Sequence, residues 1–423
     1  MEDHMEKEQE RGREAGGFQI GVERFHAEPN MDYTLNRVYA VNGGDLAEIR
    51  AAAGRIATLE DWSREFLALA SRAREEGRIR HAAAYYRGAH FYLHPADPRK
   101  REAYDAYRGL MRGLYAAEFG PGGLAEHRVP FDGAYLPVWR LPPTGAAPAP
   151  APGAASAPIV VMHLGNDSLK EEFLPALAAF RRAGIDFYLF EGPGQGEALY
   201  DGGLAMRADW EAPTRAVLDY FDLSGVTLIG LSLGGYLAPR AAAYEPRIER
   251  CVAWGPMFDF FEVVVSRRGR GLEGLLRALL KLRAKRALNA LISLKLRRDT
   301  YTRWGMEHGC FMMGTATPYD YFRKLLDFNL RSCAGRLTQD FLLIGNTADH
   351  FIPAGQFHAT ARGLANVRSF TARIFTAAER AQNHVGFGNA PLVLDYILGW
   401  IGAATAERRQ AEAAAAGREA DHD

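Results

Sequence analysis

Apolar residues along the chain fall into three regimes of spacing, and each marks a different kind of structure. Over residues 45–119 they recur at three and four in Trp62, Phe66 and Leu69 and in Tyr104, Tyr107, Leu110 and Leu114, with the aromatic Tyr85, Tyr86 and Phe91 between them. That spacing predicts consecutive amphipathic helices. Thr58 and Asp61 fit a capping box, Gly77 ends the helix they begin, and Pro95 and Pro98 divide the next two. From residue 126 the period shortens. Residues 127–131 and 135–141 flank Asp132-Gly133, the signature of a β-hairpin.

A third regime begins at residue 159. Apolar runs at 159–164, 185–190, 226–231 and 251–254 alternate with helical patterns at 170–182, 209–221 and 233–244. Such alternation predicts a mostly parallel sheet with helices on both faces, an α/β architecture. It stops for residues 258–335, which are helical and rich in Leu and aromatics. It resumes with strands at 341–344 and 367–375 and helices at 355–363 and 391–402. An inserted cap accounts for the interruption. The Pro- and Ala-rich stretch 142–158 has strand signals on both sides and is expected to be a surface loop within one sheet. The resulting division is a charged tail at 1–20, a helical domain at 21–124, a sheet domain at 125–257 and 336–404, a cap at 258–335 and a frayed tail at 405–423.

Composition narrows the function classes. The 423 residues carry 51 basic and 51 acidic side chains, so no global charge favours nucleic acid. Three cysteines, Cys251, Cys310 and Cys333, form neither a disulfide framework nor a metal motif, which fits a reducing compartment. His90 and His94 have a metal-compatible spacing but aromatic neighbours and no third ligand nearby. No metal and no cofactor are expected. Residues 1–14 are charged, without the apolar core of a secretory signal, and no run of eighteen apolar residues follows. A cytoplasmic protein without stable membrane association is expected, with a homodimer as its assembly.

Local charge differs from the total. Residues 266–303 hold Arg267, Arg268, Arg270, Arg277, Lys281, Arg283, Lys285, Arg286, Lys295, Arg297, Arg298 and Arg303 against Glu273 and Asp299. The cap is therefore a basic amphipathic module. It reads either as a lid with solvated cations or as a docking face for an anionic partner such as an acyl carrier protein. Transient contact with a membrane is the third reading.

The chemistry is concentrated in three segments. Gly230-Leu231-Ser232-Leu233-Gly234 follows an apolar strand and precedes a helix, the setting in which a sharp turn projects a serine hydroxyl from a sheet. A serine hydroxyl needs a base and an orienting acid. Asp349 and His384 each follow a later strand, and the order Ser, Asp, His is one of the known triad orders. His350 and Asp186 are the spare candidates. The amide of Leu233 is placed to stabilise an oxyanion, with Asn166 or Gly165 from the segment HLGND as second donor. The same loop also reads as a plain helix entry capped by Asp167 or Ser168. Glu191-Gly192-Pro193-Gly194-Gln195-Gly196 resembles a dinucleotide fingerprint, but Pro193 and the want of an immediately following helix argue against one; a turn supporting the site is expected instead. His163, Glu262, Asp259, Trp304, His308 and Tyr236 are candidate substrate-pocket residues. Trp304, Met306, His308, Phe311, Met312, Met313, Tyr319, Tyr321 and Phe322 read either as a pocket wall or as ordinary core.

The segments GLSLGGYLAPRAAAYEPRI, EGPGQGE, GNTADHFIP and AERAQNHVGFGN, behind AAYYRGAHFYLHP, resemble one group of α/β-hydrolases. It is the group of 2,6-dihydroxypseudooxynicotine hydrolase, the fungal polyketide-shortening hydrolases and the fermentation-respiration-switch type esterases. The resemblance implies an α/β-hydrolase fold with the N-terminal helices closing over the active site. It implies Ser232 as nucleophile, Asp349 as orienting acid and His384 as base. The expected substrate is a small acyl or diketone compound, cleaved at an ester or at a carbon-carbon bond beside a carbonyl. An acyltransferase or cyclase with the same residues is the alternative, and a catalytically silent binding protein the third reading.

Overall fold

The computed structural model describes residues 19–143, 157–266 and 270–420. Its centre is an eight-stranded sheet built from β1 (Ala125–Phe131), β2 (Ala134–Leu141), β3 (Ile159–His163), β4 (Asp186–Phe190), β5 (Val226–Leu231), β6 (Ile248–Trp254), β7 (Asp340–Asn346) and β8 (Ser369–Phe375). The order across the sheet is β1-β2-β4-β3-β5-β6-β7-β8. β1 and β2 form the antiparallel hairpin, with Asp132 and Gly133 both at positive φ as its tight turn requires. β2 runs antiparallel to β4, and β3 to β8 are parallel. β5 is buried at every position, which explains why its sequence is apolar apart from Thr227, whose hydroxyl accepts from Arg250 Nε. β2 and β3 belong to the one sheet, while residues 144–156 of the Pro- and Ala-rich stretch lie outside the described residues, as do 1–18 and 267–269.

The strand order dictates where a site can form. From β3 the chain moves to β4 on one side, then crosses to β5 on the other, so the connections leaving β3 and β5 part from each other. Open parallel sheets bind ligands in the crevice such a divergence leaves at the carboxyl ends of the strands. The loop after β3 is 164–168, and the residue after β5 is Ser232.

The N-terminal helices Leu46–Ala53, Leu59–Glu75, Ile79–Tyr92 and Pro98–Leu114 enclose a core of their own around Trp62, Phe66, Tyr85 and Leu69. The capping box is formed: Thr58 Oγ1 accepts from the Asp61 amide at 3.1 Å, and Asp61 accepts from the Thr58 amide at 3.0 Å. An earlier helix, Pro29–Asn36, continues into a π turn at Arg37–Val41. The helical periodicity from residue 45 onward gave no sign of it. It is eight residues long, begins at a proline and is capped by Glu28, whose carboxylate accepts from the Met31 amide. So short a segment carries little periodic signal.

Three other expectations need correction. The helix expected over 170–182 is a 3₁₀ segment, Lys170–Ala176, followed by an α-helix, Leu177–Arg182; Pro175 has no amide to donate within a regular helix. A short helix, Gly196–Tyr200, does follow the glycine turn at 191–196. The tail expected from 405 is helical as far as Ala420, because the helix beginning at Ala390 runs on, with Thr405 buried and Arg408 paired with Glu249.

The cap comprises helices Phe260–Ser266, Arg270–Lys281, Lys285–Leu296, Thr300–Met313 and Pro318–Leu325. Arg277 is paired with Glu273 and Asp259, and Lys285 with Asp320. Lys281, Arg283, Arg286, Arg297, Arg298 and Arg303 are exposed. Arg267 and Arg268, and the side chain of Arg270, fall outside the described residues. No described helix is long and apolar enough to cross a membrane.

Candidate active site

Ser232 sits at the apex between β5 and the helix Gly234–Ala242, in the left-handed region at φ 58°. A side-chain-bearing residue pays roughly 1–2 kcal/mol to stay there. Its amide is fixed by the Trp254 carbonyl at 2.7 Å. The turn is so tight that a Cβ on Gly230 would lie 2.0 Å from the Gly234 carbonyl oxygen, so only glycine fits beneath the serine.

His384 opens the 3₁₀ turn His384–Gly386, which follows the excursion after β8. Trp254 Nε1 donates to the Val385 carbonyl at 2.9 Å and pins this turn to the end of β6. Asp349 lies in the turn after β7, its Oδ1 accepting from the amides of Phe351 at 2.8 Å and Ile352 at 2.9 Å. Two links complete the arrangement: His384 Nδ1 to Asp349 Oδ2 at 2.8 Å, and Ser232 Oγ to His384 Nε2 at 2.8 Å. An ionised carboxylate can only accept, so the ring proton is assigned to Nδ1 and the Nε2 lone pair faces the serine hydroxyl. Burial would raise the Asp349 carboxyl, yet the neighbouring imidazole and the two amides hold it below the usual carboxylate range. His350 does not take the place of His384; it packs against Tyr33 and Phe351. Asp186 pairs with Arg140 at the start of β4, away from the serine.

The loop after β3 runs directly against this turn. A Cβ on Gly165 would meet Ser232 Cβ at 2.7 Å and the Leu231 carbonyl at 2.8 Å. Leu233 and Asn166 line the same cavity as Ser232, and Gly165 supplies the close approach. Gln195, within the glycine turn, donates to the carbonyls of Leu164 at 2.6 Å and Gly165 at 3.1 Å. Glu191 of that turn accepts from the amides of Lys170 and Glu197.

Two arginines from the N-terminal helical region reach the same loop. Arg37 spans Glu172 at 2.6 Å and Asp167 at 3.1 Å; Arg87 donates to the Asp167 carbonyl at 2.6 Å and pairs with Glu172 at 3.1 Å. Asp167 and Ser168 therefore serve Arg37 rather than capping a helix, Ser168 Oγ accepting at 3.3 Å. Burial opposes ionisation of Glu172, but the two guanidinium groups bring its carboxyl down to about 2. No motif in the sequence marks either arginine, because each reaches the loop through partners 80 or more positions away.

The site opens on a cavity of about 580 Å³. Tyr33, Arg37, Phe91 and Tyr92 from the N-terminal helices form part of its wall, with Phe260, Val263, Trp304, Met306 and His308 from the cap. Tyr33 packs its ring against Phe351, Phe387 and His384. Of the candidate pocket residues, Trp304 and His308 line this cavity, whereas His163, Tyr236, Asp259 and Glu262 do not. His163 ends β3 on the face packed against Phe190 and Trp210, and burial pushes its ring down to about 3. Tyr236 is buried and donates to the carbonyls of Ala208 and Asp327. Asp259 is buried between Arg277 and Arg331 and accepts from the Glu262 amide, so both acids belong to a helix start. Met312, Met313 and Phe322 are core, while Met306 and Tyr321 reach the cavity. His90 bonds Tyr200 Oη at 2.9 Å and His94 lies by Glu307; among the described residues no group of three acids, histidines or cysteines is placed to hold a metal.

Comparisons with known proteins agree with this architecture. The model of the alpha/beta hydrolase family matches residues 159–393. The chain is 27% identical over 351 residues to the hydrolyase poxO of Penicillium oxalicum, covering 74% of this chain and 80% of that protein. It is 31% identical over 289 residues to 20-hydroxy-prefusarin hydrolase FUS2 of Gibberella moniliformis, covering 64% and 66%. Its fold is similar to the crystal structure of 2,6-dihydroxy-pseudo-oxynicotine hydrolase, with a TM-score of 0.59 and 20% identity over 87% of this chain and 94% of that one. The matched segment spans more than half of the chain and contains Ser232, Asp349 and His384, and the protein is a member of the α/β-hydrolase family and an enzyme of the hydrolase class.

Proposed function

We propose that this protein is a serine hydrolase that forms an acyl-enzyme on Ser232 and cleaves an ester, or a carbon-carbon bond beside a carbonyl, in a polyketide-like substrate. The observation that carries the reading is the continuous hydrogen-bonded chain from Ser232 Oγ through His384 to Asp349, open to a largely apolar cavity. His384 Nε2 takes the hydroxyl proton as Oγ attacks the substrate carbonyl, and Asp349 stabilises the imidazolium that results. The amides of Leu233 and Asn166 face the developing oxyanion. Collapse expels an alkoxide from an ester or an enolate from a β-diketone, and either leaving group takes the proton from His384. Water, deprotonated by the same imidazole, then attacks the acyl-enzyme and releases the acid. The substrate class is supported by the relative named for 20-hydroxy-prefusarin hydrolysis and by the apolar walls of the cavity.

The test is labelling with a fluorophosphonate probe. Native protein is expected to label at Ser232, and Ser232→Ala to lose both labelling and turnover of benzoylacetone or an aryl ester. Hydrolysis in water enriched in heavy oxygen is expected to place one label in the acid product. Acyl transfer to another substrate would leave the product unlabelled.

A further inference from the structure

The cap helices Arg270–Lys281 and Lys285–Leu296 carry apolar side chains on two faces, of which the fold uses one. Leu276, Leu280, Leu288 and Ile292 are buried in the core that also holds Phe260 and Val263 of the cavity wall. On the outside, Leu282 is 76% exposed, Leu294 55% and Leu275 45%. The first two are the most exposed large apolar side chains among the described residues. Folding gains little from them, because the inner residues already anchor both helices.

The turn joining the helices holds the most prominent of the three in place. Leu282 ends the first helix and Arg283 follows at φ 53°. The amides of Arg283 and Ala284 then return to the carbonyls of Leu280 at 3.1 Å and Leu279 at 2.9 Å. Glycine is the usual left-handed residue in such a closure, yet an arginine occupies it. Leu282 therefore projects from a hydrogen-bonded apex, between Lys281 and Arg283.

Charge around this apex has one sign. Residues 270–298 contain nine arginines and lysines against one acid, Glu273. Glu273 is bonded to Arg277, and Lys285 to Asp320. Lys281, Arg283, Arg286, Arg297 and Arg298 are exposed and make no ion pair among the described residues.

A protruding leucine flanked by cations has a definite physical complement. The leucine stands out from a convex turn, so it needs a deformable apolar medium, and the cations need anions arrayed around it. A bilayer with anionic headgroups supplies both, and the long stems of lysine and arginine suit its interface. An acidic protein would satisfy the charges but would have to offer a pocket shaped for Leu282.

We infer that the outer face of this helix pair is a reversible docking surface for an anionic lipid membrane, with Leu282 entering the headgroup region and Lys281, Arg283 and Arg286 meeting the headgroup anions. The inference concerns binding and stands apart from the reaction at Ser232. Because the inner face shares a core with the cavity wall, docking would carry the cavity to the membrane with it.

The test is flotation of the full chain with vesicles of phosphatidylcholine alone and of equimolar phosphatidylcholine and phosphatidylglycerol. Binding is expected to the anionic vesicles only, and to be lost as ionic strength rises. Arg283→Glu is expected to weaken it about 25-fold, at roughly five-fold per unit of charge near an anionic bilayer. Leu282→Ser should weaken it about five-fold or more. Neither residue lines the cavity, so the melting temperature and the turnover of an aryl ester without vesicles should match the wild type. Failure to float with anionic vesicles, equal binding to neutral ones, or binding that neither substitution weakens overturns the membrane surface. Tighter binding of soluble polyglutamate than of the vesicles, unaffected by Leu282→Ser, overturns it in favour of an acidic protein. A dimer in sedimentation that Leu282→Ser dissociates overturns it in favour of a second copy of the chain.

Discussion

At the residue scale, the serine turn was legible because its chemistry and its sterics need the same few residue types in consecutive positions. Gly230 fits where a Cβ would strike the Gly234 carbonyl, and Ser232 is held in a strained conformation by neighbours a few positions away. Asp349 and His384 were legible because each follows a strand that the apolar runs already marked. Tyr236 and His163 misled for the opposite reason: proximity in sequence to Ser232 or to the loop after β3 does not say which face a side chain takes. Asp349→Asn should leave the fold intact and lower kcat by about 10²–10⁴, since an amide can no longer fix the histidine tautomer as the carboxylate does. Circular dichroism beside steady-state kinetics checks both halves of that statement.

At the scale of elements, the strands were read nearly to their ends, and the long N-terminal helices with their capping box likewise. The helix Pro29–Asn36 was not, although it contributes Tyr33 to the site and leads into Arg37. Periodicity reports a long amphipathic face; a two-turn helix followed by a π turn has none to report. The loop after β3 shows the same limit, because its shape depends on Gln195, Arg37 and Arg87, which come from three separate elements. Arg87→Ala is expected to destabilise the protein by about 3–5 kcal/mol, because it leaves part of the buried charge of Glu172 uncompensated. It should also reduce kcat more than KM, through the displaced Asn166 amide. Urea unfolding and kinetics on the same preparation separate the two effects, and Arg87→Lys should restore stability better than the loop geometry.

For the whole molecule, zero net charge gives no hint of how its ionisable groups are placed. His163 and His308 are held neutral by burial, at about 3 and about 4, against about 6.5 in an unfolded chain. As pH falls below about 6.5, the unfolded state takes up protons that the folded state refuses, so stability must fall. Each histidine contributes up to about 1.4 kcal/mol per pH unit until its folded-state value is reached. Below about pH 4 the depressed carboxyls of Glu172, Asp167 and Asp349 add a second loss, since their pairing disappears on protonation. Urea midpoints are expected to decline from about pH 6.5 to about pH 4, and His308→Gln to flatten that first slope. A midpoint independent of pH across that window would contradict the buried, neutral state of both rings.

The bonds from Arg37 and Arg87 to the loop after β3 bear on how this architecture could be divided or inherited. The segment matched by the family model begins at residue 159 and so excludes both arginines and Tyr33. Cut out by itself, it would keep the serine, the histidine and the acid but hold the buried Glu172 and the half-buried Asp167 without their cations. The helical region before the sheet is therefore not a removable accessory. Any exchange of that region between relatives would have to carry matching changes at positions 167 and 172, and a chimera made without them should fail at the loop before it fails at the Ser232 turn.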